Sequence, residues 1–493
     1  MGQATANARW SFLGLGVKVF VQAVAAFLIA RIVGKAAYGT MSLGLLWVTL
    51  TNLLLDQGMG QALVRKKDMI RSDVATVQVA SGVLAIVAMF VTWGIAEPLS
   101  HFYKGFPDLP AVLIGLSFGL IFKAVAVPAR AVVQRDFHFR WLAGCEIVSS
   151  VIGVAASVVT AEMGGRAMAL VAQMLVTDSI YVIGVVKVSG LPLRGANWPA
   201  LRGMLGITSQ IAGSQWLGFV SRNADNALIG RELGAGPLAQ YSVSYRLMML
   251  PITNLTQVAN RVLLPTYARL QEDVATFRRA FLKSTRLMSL TAAPAMVLLI
   301  AFAKPLIIGG MGEQWRGAVV PTQVLAIVAI MQTQTSLVTP AIVAFGRSKW
   351  QLYWSLLQMF LTVAVFVVTV PSGLNAVCIG YAVLNVVSMP VPIAIVGKFG
   401  GFTVRDWLRS VGPGLGIAAI FLVIGVAVEN GLATAGVPHL VNALGGGLAA
   451  VVLGVVAVRV VMPKSLREIM SLVSRDKPAS KPETPLGAPA VAG

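Results

Sequence analysis

The stretch from Gly206 to Gly234, GITSQIAGSQWLGFVSRNADNALIGRELG, is apolar and long enough to cross a bilayer, yet it carries Arg222 and Asp225. Helical spacing places both charges on one stripe together with Ser214 and Ser221. A charge inside a membrane helix costs several kcal/mol unless it faces a partner or a water-filled cavity. The stretch therefore predicts a functional site within a membrane.

The whole chain has the composition of an integral membrane protein. Of its 493 residues, 57% are hydrophobic and 12% are charged, whereas soluble domains average roughly 45–50% and about 25%. Apolar runs of about 20 residues recur, each long enough to cross a hydrocarbon core about 30 Å thick. They lack the alternating polarity of membrane β-barrel strands. We predict an all-α polytopic membrane protein.

Fourteen membrane spans are predicted, and an even number places both termini on the same side. Their approximate bounds are 10–33, 38–62, 74–97, 110–133, 142–162, 167–188, 204–230, 238–263, 284–304, 319–345, 351–371, 376–397, 410–430 and 441–462.

Most of the 39 Lys and Arg residues lie in connectors on the side of the termini. The opposite connectors hold Arg31, Lys35, Lys104, Arg166, Arg231, Lys304 and Arg316. The positive-inside rule therefore predicts that both termini lie in the cytoplasm. The net charge of +20 is explained by this topology and by attraction to anionic lipids, so no nucleic-acid partner is predicted.

Three pairs of matching segments recur in the same order at offsets of about 200 to 212 residues. They are LIARIVG at 28–34 and LIGRELG at 228–234, Thr51-Asn52-Leu53 and Thr253-Asn254-Leu255, and Pro128-Ala129 and Pro340-Ala341. These pairs predict two homologous halves of six spans each. Because six is even, the halves run parallel, as in transporters whose site lies between the halves near the middle of the membrane.

The predicted domain organisation follows from the spans and the repeat. It comprises an N-lobe at 1–203 (spans 1–6), a C-lobe at 204–409 (spans 7–12), two further spans at 410–462, an amphipathic interfacial helix at 463–475 and a disordered cytoplasmic tail at 476–493. Cys145 and Cys378 lie inside apolar runs, so neither a disulfide nor a metal site is predicted.

Several segments resemble those of a transporter family. They are ARIVG at 30–34 with Tyr38-Gly39, DQGMGQALV at 56–64, QRDFHFR at 134–140, and DNALIGRELG at 225–234 with Tyr241. These segments are similar to the polysaccharide transport branch of the multidrug/oligosaccharidyl-lipid/polysaccharide exporter superfamily, the Wzx-type flippases. The resemblance extends to about Arg409. The last two spans share the general character of the family's spans but none of these motifs.

The resemblance implies fourteen helices, with two six-helix lobes around a central cavity and two extra C-terminal helices. It implies a transporter rather than an enzyme. Its substrate would be an undecaprenyl-diphosphate-linked oligosaccharide, moved from the cytoplasmic to the outer leaflet by alternating access for exopolysaccharide or O-antigen synthesis. The implied partners are this lipid-linked oligosaccharide, membrane lipids, H⁺ or Na⁺, and polysaccharide polymerase or export machinery.

Such a substrate presents a diphosphate, which requires Lys or Arg, and a glycan, which requires amide, hydroxyl and aromatic groups. The predicted cavity residues are Lys18, Lys123, Arg222, Arg246, Asn52, Asn254, Gln257 and Trp216. Further amides that could contact the glycan are Gln57, Asn223, Gln332, Gln334 and Gln358. Each has a structural alternative: Lys18 could snorkel, amides could join helices, and Arg222 and Lys123 could neutralise Asp225 and Asp178. Trp47, Trp315 and Trp350 lie near span ends and are predicted to be interfacial anchors.

The energy source is predicted to be a cation gradient. The chain has no G-x-x-x-x-G-K-[ST] phosphate loop, so ATP hydrolysis is not expected. The membrane potential supplies about 2.3 kcal/mol per charge per 100 mV, and Asp56, Asp178 or Asp225 could bind a proton or a sodium ion. No cofactor is predicted.

Three other functions remain open at this stage. The cations of the spans argue against a drug/cation antiporter, and the short outer connectors argue against a membrane glycan polymerase or ligase. No feature of this sequence distinguishes a lipid II flippase of the same superfamily from a flippase for oligosaccharide repeat units.

Overall fold

The computed structural model describes residues 27–56, 63, 70–136, 138–190, 195, 219, 223–463 and 465. Regular secondary structure in these residues is helical throughout. Ten helical segments are long and apolar enough to cross a membrane, which confirms an all-α, multi-pass membrane protein. Lys18, Trp216, Arg222 and most of the predicted interfacial helix and tail lie outside the described residues, and the count of fourteen spans stays a prediction.

We number the helices in chain order. The first group is α1 Lys35–Asp56, α2 Arg71–Phe102, α3 Leu109–Arg135, α4 Phe139–Glu162 and α5 Arg166–Ser189. The second is α6 Ala235–Arg269, α7 Val274–Met311, α8 Val319–Thr335, α9 Val338–Ala344, α10 Ser348–Thr369, α11 Leu374–Ser388 and α12 Pro390–Gly400. The last is α13 Val404–Thr434, α14 His439–Val441 and α15 Gly447–Val461. Residues 27–33 and 223–233 are also helical. Short 3₁₀ turns lie at Glu313–Ala318 and Val370–Ser372, and a π turn lies at Asn442–Gly446.

Two predicted spans are present as single membrane-crossing segments, Glu313–Ala344 and Leu374–Gly400, and each is divided into shorter helices. Span 319–345 divides into α8 and α9, and Pro340 lies in the first turn of α9, where its missing N–H removes no helical hydrogen bond. Span 376–397 divides at Met389, and Pro390 begins α12. The segment between Pro265 and Lys283, predicted to be a long and partly helical connector, is mostly helical, because α6 continues to Arg269 and α7 begins at Val274.

The repeat detected in the sequence recurs in the backbone geometry. Gly34 precedes α1 with φ +83°, and Gly234 precedes α6 with φ +85°. Their N–H groups donate to the carbonyl oxygens of Ala30 and Gly230, both at 3.2 Å. Glycine adopts positive φ without steric cost, so LIARIVG and LIGRELG encode the same sharp turn between two helices. The matching turns support two related halves, although the lobe boundaries stay predictions.

The first turns of α7 and α13 are fixed by polar contacts. Thr276 donates its backbone N–H to Asp273 Oδ1 at 2.9 Å and its hydroxyl to Asp273 Oδ2 at 2.6 Å. These hydrogen bonds from Thr276 hold the pKa of Asp273 below its ordinary value. Arg278 pairs with Asp406 at 3.2 Å and thus joins the first turn of α13 to that of α7, which packs along it.

We use the predicted repeat to name residues 27–190 the first half and residues 223–400 the second half. They contact each other at the end that carries Gly34 and Gly234, which we call the closed end. One hydrophobic cluster there joins Leu43 to Leu238, and another joins Tyr38 to Trp315. At the opposite end, which we call the open end, each described cluster stays within one half or joins the second half to α13. The Lys and Arg distribution predicts that the open end faces the cytoplasm.

We expect Gly39→Ala to separate the halves at the closed end. A Cβ on Gly39 would lie 1.9 Å from the carbonyl oxygen of Ala235 at the start of α6. Overpacking of this kind costs about 1–3 kcal/mol, which corresponds to roughly a 5- to 150-fold change in the population of the closed arrangement. The population can be measured by electron–electron resonance between spin labels at the exposed residues Ala36 and Glu313.

Gly82→Ala is the matched control, because a Cβ on Gly82 meets nothing within 4 Å. It makes the same change in a helix and should leave the label distance unchanged. If Gly39→Ala gives the same distance distribution as this control, the close approach of α1 and α6 does not hold the closed end together.

Candidate functional site

Two neighbouring cavities in the first half share Asp178 of α5. The first has a volume of about 260 Å³ and is also lined by Asn52, Lys123 and Arg130. Lys123 Nζ lies 3.8 Å from Asp178 Oδ2, and both side chains keep part of their surface exposed. The inter-helix pair that was the structural alternative for Lys123 is therefore present, and it partly neutralises this cation.

The second of these cavities, of about 230 Å³, receives a cation from the other half of the protein. Arg246 of α6 lines it together with Tyr38 of α1 and Asp178 of α5. Arg246 Nη1 donates to Tyr38 Oη at 3.3 Å. Its side chain is exposed, and in the described part of the chain it forms no salt bridge. Arg246 thus presents a guanidinium to a cavity at the junction of the halves.

A third cavity, of about 720 Å³, lies in the second half among α6, α8, α10 and α11. Its described lining consists of amide, hydroxyl, aromatic and apolar side chains, and Asp225 is the one charged residue among them. The charge distribution therefore differs between the halves. Cationic and acidic groups line the two cavities of the first half, whereas uncharged polar groups dominate this one.

Asp225 is buried, with 6% of its surface exposed, and is held by hydrogen bonds. Tyr241 Oη donates to Asp225 Oδ2 at 2.7 Å, and the backbone N–H of Asn226 donates to Oδ1 at 2.7 Å. Tyr241 in turn stacks on Tyr245, which lines the cavity. The sequence pointed to Arg222 as the partner of Asp225, but Arg222 lies outside the described residues. It assigned no role to Tyr241, although Tyr241 accompanies the DNALIGRELG segment.

The remaining predicted residues fall into two groups. Asn52 lies with Lys123 and Asp178 in one cavity, and its Oδ1 is buried without a hydrogen-bond partner in the described part of the chain. Asn254 and Gln257 belong to α6 and Asp56 ends α1, but their side chains lie outside the described atoms. The structure thus groups Asn52, Lys123 and Asp178, and it places Asp225 in a different cavity.

The prediction that Trp315 is an interfacial anchor is wrong. Its side chain is fully buried, its ring centroid lies 5.5 Å from that of Tyr38 at an interplanar angle of 89°, and its Nε1 donates to the carbonyl oxygen of Ala30 at 3.2 Å. Trp47 is partly buried, and its Nε1 donates to Thr92 Oγ1 at 2.9 Å. A position near a span end signals an anchor only if the residue faces lipid, and Trp315 faces the other half.

Membrane-spanning helices that enclose cavities lined by polar and charged side chains are typical of multi-pass membrane transporters. Residues 28–320 match the sequence profile of the family described as "Polysaccharide biosynthesis protein". This segment is more than half of the chain, and the protein belongs to this family. The resemblance to Wzx-type flippases is thereby confirmed.

Named relatives and a solved structure agree with this membership. The chain is 23% identical over 426 residues to the teichuronic acid biosynthesis protein TuaB of Bacillus subtilis (strain 168), covering 85% of each chain. It is 24% identical over 389 residues to the succinoglycan biosynthesis transport protein ExoT of Rhizobium meliloti (strain 1021), covering 78% of each. The lipid II flippase MurJ, in an inward closed conformation, superposes with a TM-score of 0.67 at 9% identity over 92% of this chain and 98% of that one. The likeness to MurJ shows a shared fold.

Proposed function

We propose that this transporter is a flippase for undecaprenyl-diphosphate-linked oligosaccharide repeat units. It moves them by alternating access from the cytoplasmic to the outer leaflet of the inner membrane, for exopolysaccharide or O-antigen synthesis. The observation that carries the proposal is Arg246, a cation that crosses from one half into a polar cavity of the other. Membership of the polysaccharide biosynthesis family supports a glycan substrate.

The diphosphate is the part of this substrate that requires positive charge. A guanidinium binds phosphate oxygens with two parallel N–H donors, and the bond strengthens where water is excluded. Arg246 offers such donors after it releases Tyr38, whereas Lys123 already faces Asp178. We assign Arg246 as the first phosphate ligand and Lys123 as the second. The lipid chain of the substrate stays in the bilayer at the gap between the halves.

Alternating access requires that the closed end can open. Besides Tyr38 and Arg246, two hydrogen bonds described there join the halves: Trp315 donates to Ala30, and Gln314 Nε2 donates to the carbonyl oxygen of Arg31 at 3.3 Å. Because phosphate competes with Tyr38 for Arg246, substrate binding weakens one of the contacts that hold this end shut. Release of the contacts together would expose the substrate on the opposite side.

Cation coupling is assigned to Asp225, with Asp178 and Asp56 as the other predicted acids. The carboxylate of Asp225 is buried and receives donors from Tyr241 and Asn226, so a proton or a sodium ion would neutralise it without large movement. Tyr241 belongs to the first two turns of α6, close to the contacts of the closed end. Neutralisation of Asp225 can therefore alter the packing of this end.

The proposed function is tested in proteoliposomes that contain the purified protein and radiolabelled undecaprenyl-diphosphate oligosaccharide from the host. Transfer between leaflets is scored by periodate, which oxidises only glycans on the outside of the vesicle. We expect protein-dependent transfer with no change in glycan length. Transfer no faster than in protein-free vesicles would contradict a flippase, and longer glycans would indicate a polymerase.

Asp225→Asn tests the coupling in the same vesicles. With the wild-type chain, an imposed proton or sodium gradient should accelerate transfer. Asn keeps the size of Asp225 and one of its two acceptor oxygens, but it is always neutral and binds no proton, so the acceleration should disappear while transfer without a gradient remains. A gradient response that persists in Asp225→Asn would remove Asp225 from the coupling, and Asp178→Asn would be tested next.

A further inference from the structure

Helix α10 carries a polar stripe on an otherwise apolar membrane span. Side chains on this stripe recur every three or four residues, and all of them line the 720 Å³ cavity: Gln351, Trp354, Ser355, Gln358 and Thr362. The opposite face is apolar or aromatic and exposed, with Tyr353, Leu357 and Phe360. A polar stripe that faces a cavity within a membrane span indicates a functional surface.

Hydrogen bonds join the helices that line this cavity, but they do not use every polar atom of the lining. Gln332 Nε2 donates to Tyr381 Oη at 2.8 Å, and Gln358 Nε2 donates to Ser388 Oγ at 3.2 Å. The other amide atom of Gln358, Oε1, has no hydrogen-bond partner in the described part of the chain. Hydrogen bonds between helices explain the presence of Gln332 and Gln358. They do not explain the other polar residues of the stripe.

The chemistry of the lining matches a neutral, hydroxyl-rich ligand. Amides and hydroxyls exchange hydrogen bonds with sugar hydroxyls, and the indole of Trp354 offers a flat apolar face to the C–H face of a sugar ring. No Lys or Arg occurs among the described lining residues, so the cavity is unsuited to phosphate. Its volume of about 720 Å³ lies within the range of roughly 300–1,000 Å³ that is typical of ligand pockets.

We propose that this cavity, between α10 and α11 of the second half, binds the sugars of the substrate beyond the diphosphate. Trp354 and Gln358 contact these sugars and determine which glycans bind. The inference rests on the proposed function, because it assumes a lipid-linked oligosaccharide. The substrate is then recognised in two parts. Arg246 at the junction of the halves holds the diphosphate, which is constant, and α10 contacts the glycan, which varies between polysaccharides.

The test compares the binding of two probes by native mass spectrometry of the full-length protein. One probe is undecaprenyl diphosphate carrying the complete repeat unit from the host, and the other is the same carrier with its first sugar alone. We expect the wild-type chain to prefer the complete unit about tenfold.

Trp354→Ala and, separately, Gln358→Ala should bring this ratio close to one by weakening binding of the complete unit, while binding of the one-sugar probe is unchanged. Trp354→Phe, which keeps a flat ring, should retain most of the preference.

Phe360→Ala is the matched control, because it removes an aromatic ring from the exposed face of the same helix, where 66% of the side chain is accessible. It should keep the wild-type ratio. A wild-type chain that binds both probes equally, or a preference that persists in Trp354→Ala and Gln358→Ala, overturns the glycan site but leaves the flippase proposal standing if transfer occurs in vesicles. Binding of neither probe would overturn both proposals.

Discussion

Trp315→Ala is expected to destabilise the closed end by about 3–5 kcal/mol, the usual cost of removing a fully buried tryptophan. The indole packs edge-on against Tyr38, bonds to the carbonyl of Ala30 and belongs to a cluster with residues of both halves. Its removal leaves a cavity, takes away one of the two hydrogen bonds that the Ala30 carbonyl accepts, and weakens the junction. The loss should appear as a lower thermal unfolding midpoint and as a longer distance between spin labels at Ala36 and Glu313.

Trp350→Ala is the control for Trp315→Ala, because Trp350 lies in the first turn of α10 with 48% of its surface exposed. We expect a much smaller change in the midpoint and no change in the label distance. If Trp315→Ala behaves like this control, Trp315 does not join the halves. If only the midpoint falls, its contribution is confined to packing within the second half.

Arg246→Ala is expected to lower the rate of substrate transfer by about 10- to 150-fold. A hydrogen bond to a charged group contributes about 1.5–3 kcal/mol, and each 1.36 kcal/mol corresponds to a factor of about ten. Arg246→Lys should recover part of the rate, because an ammonium keeps the charge but loses the paired donors of the guanidinium. The measurement is leaflet transfer in vesicles at matched protein content.

Arg269→Ala is the control for Arg246, since it removes an exposed arginine from the last turn of the same helix, away from the described cavities. It should transfer substrate at the wild-type rate. Full transfer by Arg246→Ala would exclude this arginine as a phosphate ligand. Equal loss in Arg246→Ala and Arg246→Lys would indicate that the guanidinium acts through its hydrogen bond to Tyr38 rather than through charge on the substrate.

Several elements were predictable because their signals are local. Runs of about 20 apolar residues specify membrane helices, and α3, α4 and α5 begin and end within a few residues of the predicted spans. The Gly34 and Gly234 turns were visible as repeated LIARIVG and LIGRELG segments, because positive φ requires glycine at these positions. The exact points at which spans 319–345 and 376–397 divide, at 336–337 and at Met389, were not predicted, since an apolar run carries no period that marks them.

The candidate site was less predictable, because its residues converge from distant parts of the chain. The sequence identified Lys123, Asp178, Arg246 and Asp225 as unusual, since charges are rare in membrane helices. It offered the pair of Lys123 with Asp178 as an alternative, and the structure contains this pair. The contacts of Arg246 with Tyr38 and of Asp225 with Tyr241 were not predicted. Of the stripe on α10, the sequence offered Gln358 as a glycan contact, but it gave no reason to group Gln358 with Gln351, Trp354, Ser355 and Thr362, which are uncharged and of types common in helix contacts.

The sequence by itself determined that this protein is an all-α membrane protein with an internal repeat, because composition, span length and the glycine turns depend on neighbouring residues only. Tertiary structure alone decided that Trp315 closes one end rather than anchoring in lipid, that Arg246 serves a cavity of the opposite half, and that charged and uncharged polar cavities lie in different halves. The physical reason is that each of these properties depends on which faces of distant helices meet. Hydrophobicity along a chain fixes depth in a membrane, but it does not fix the rotation of a helix or its partners.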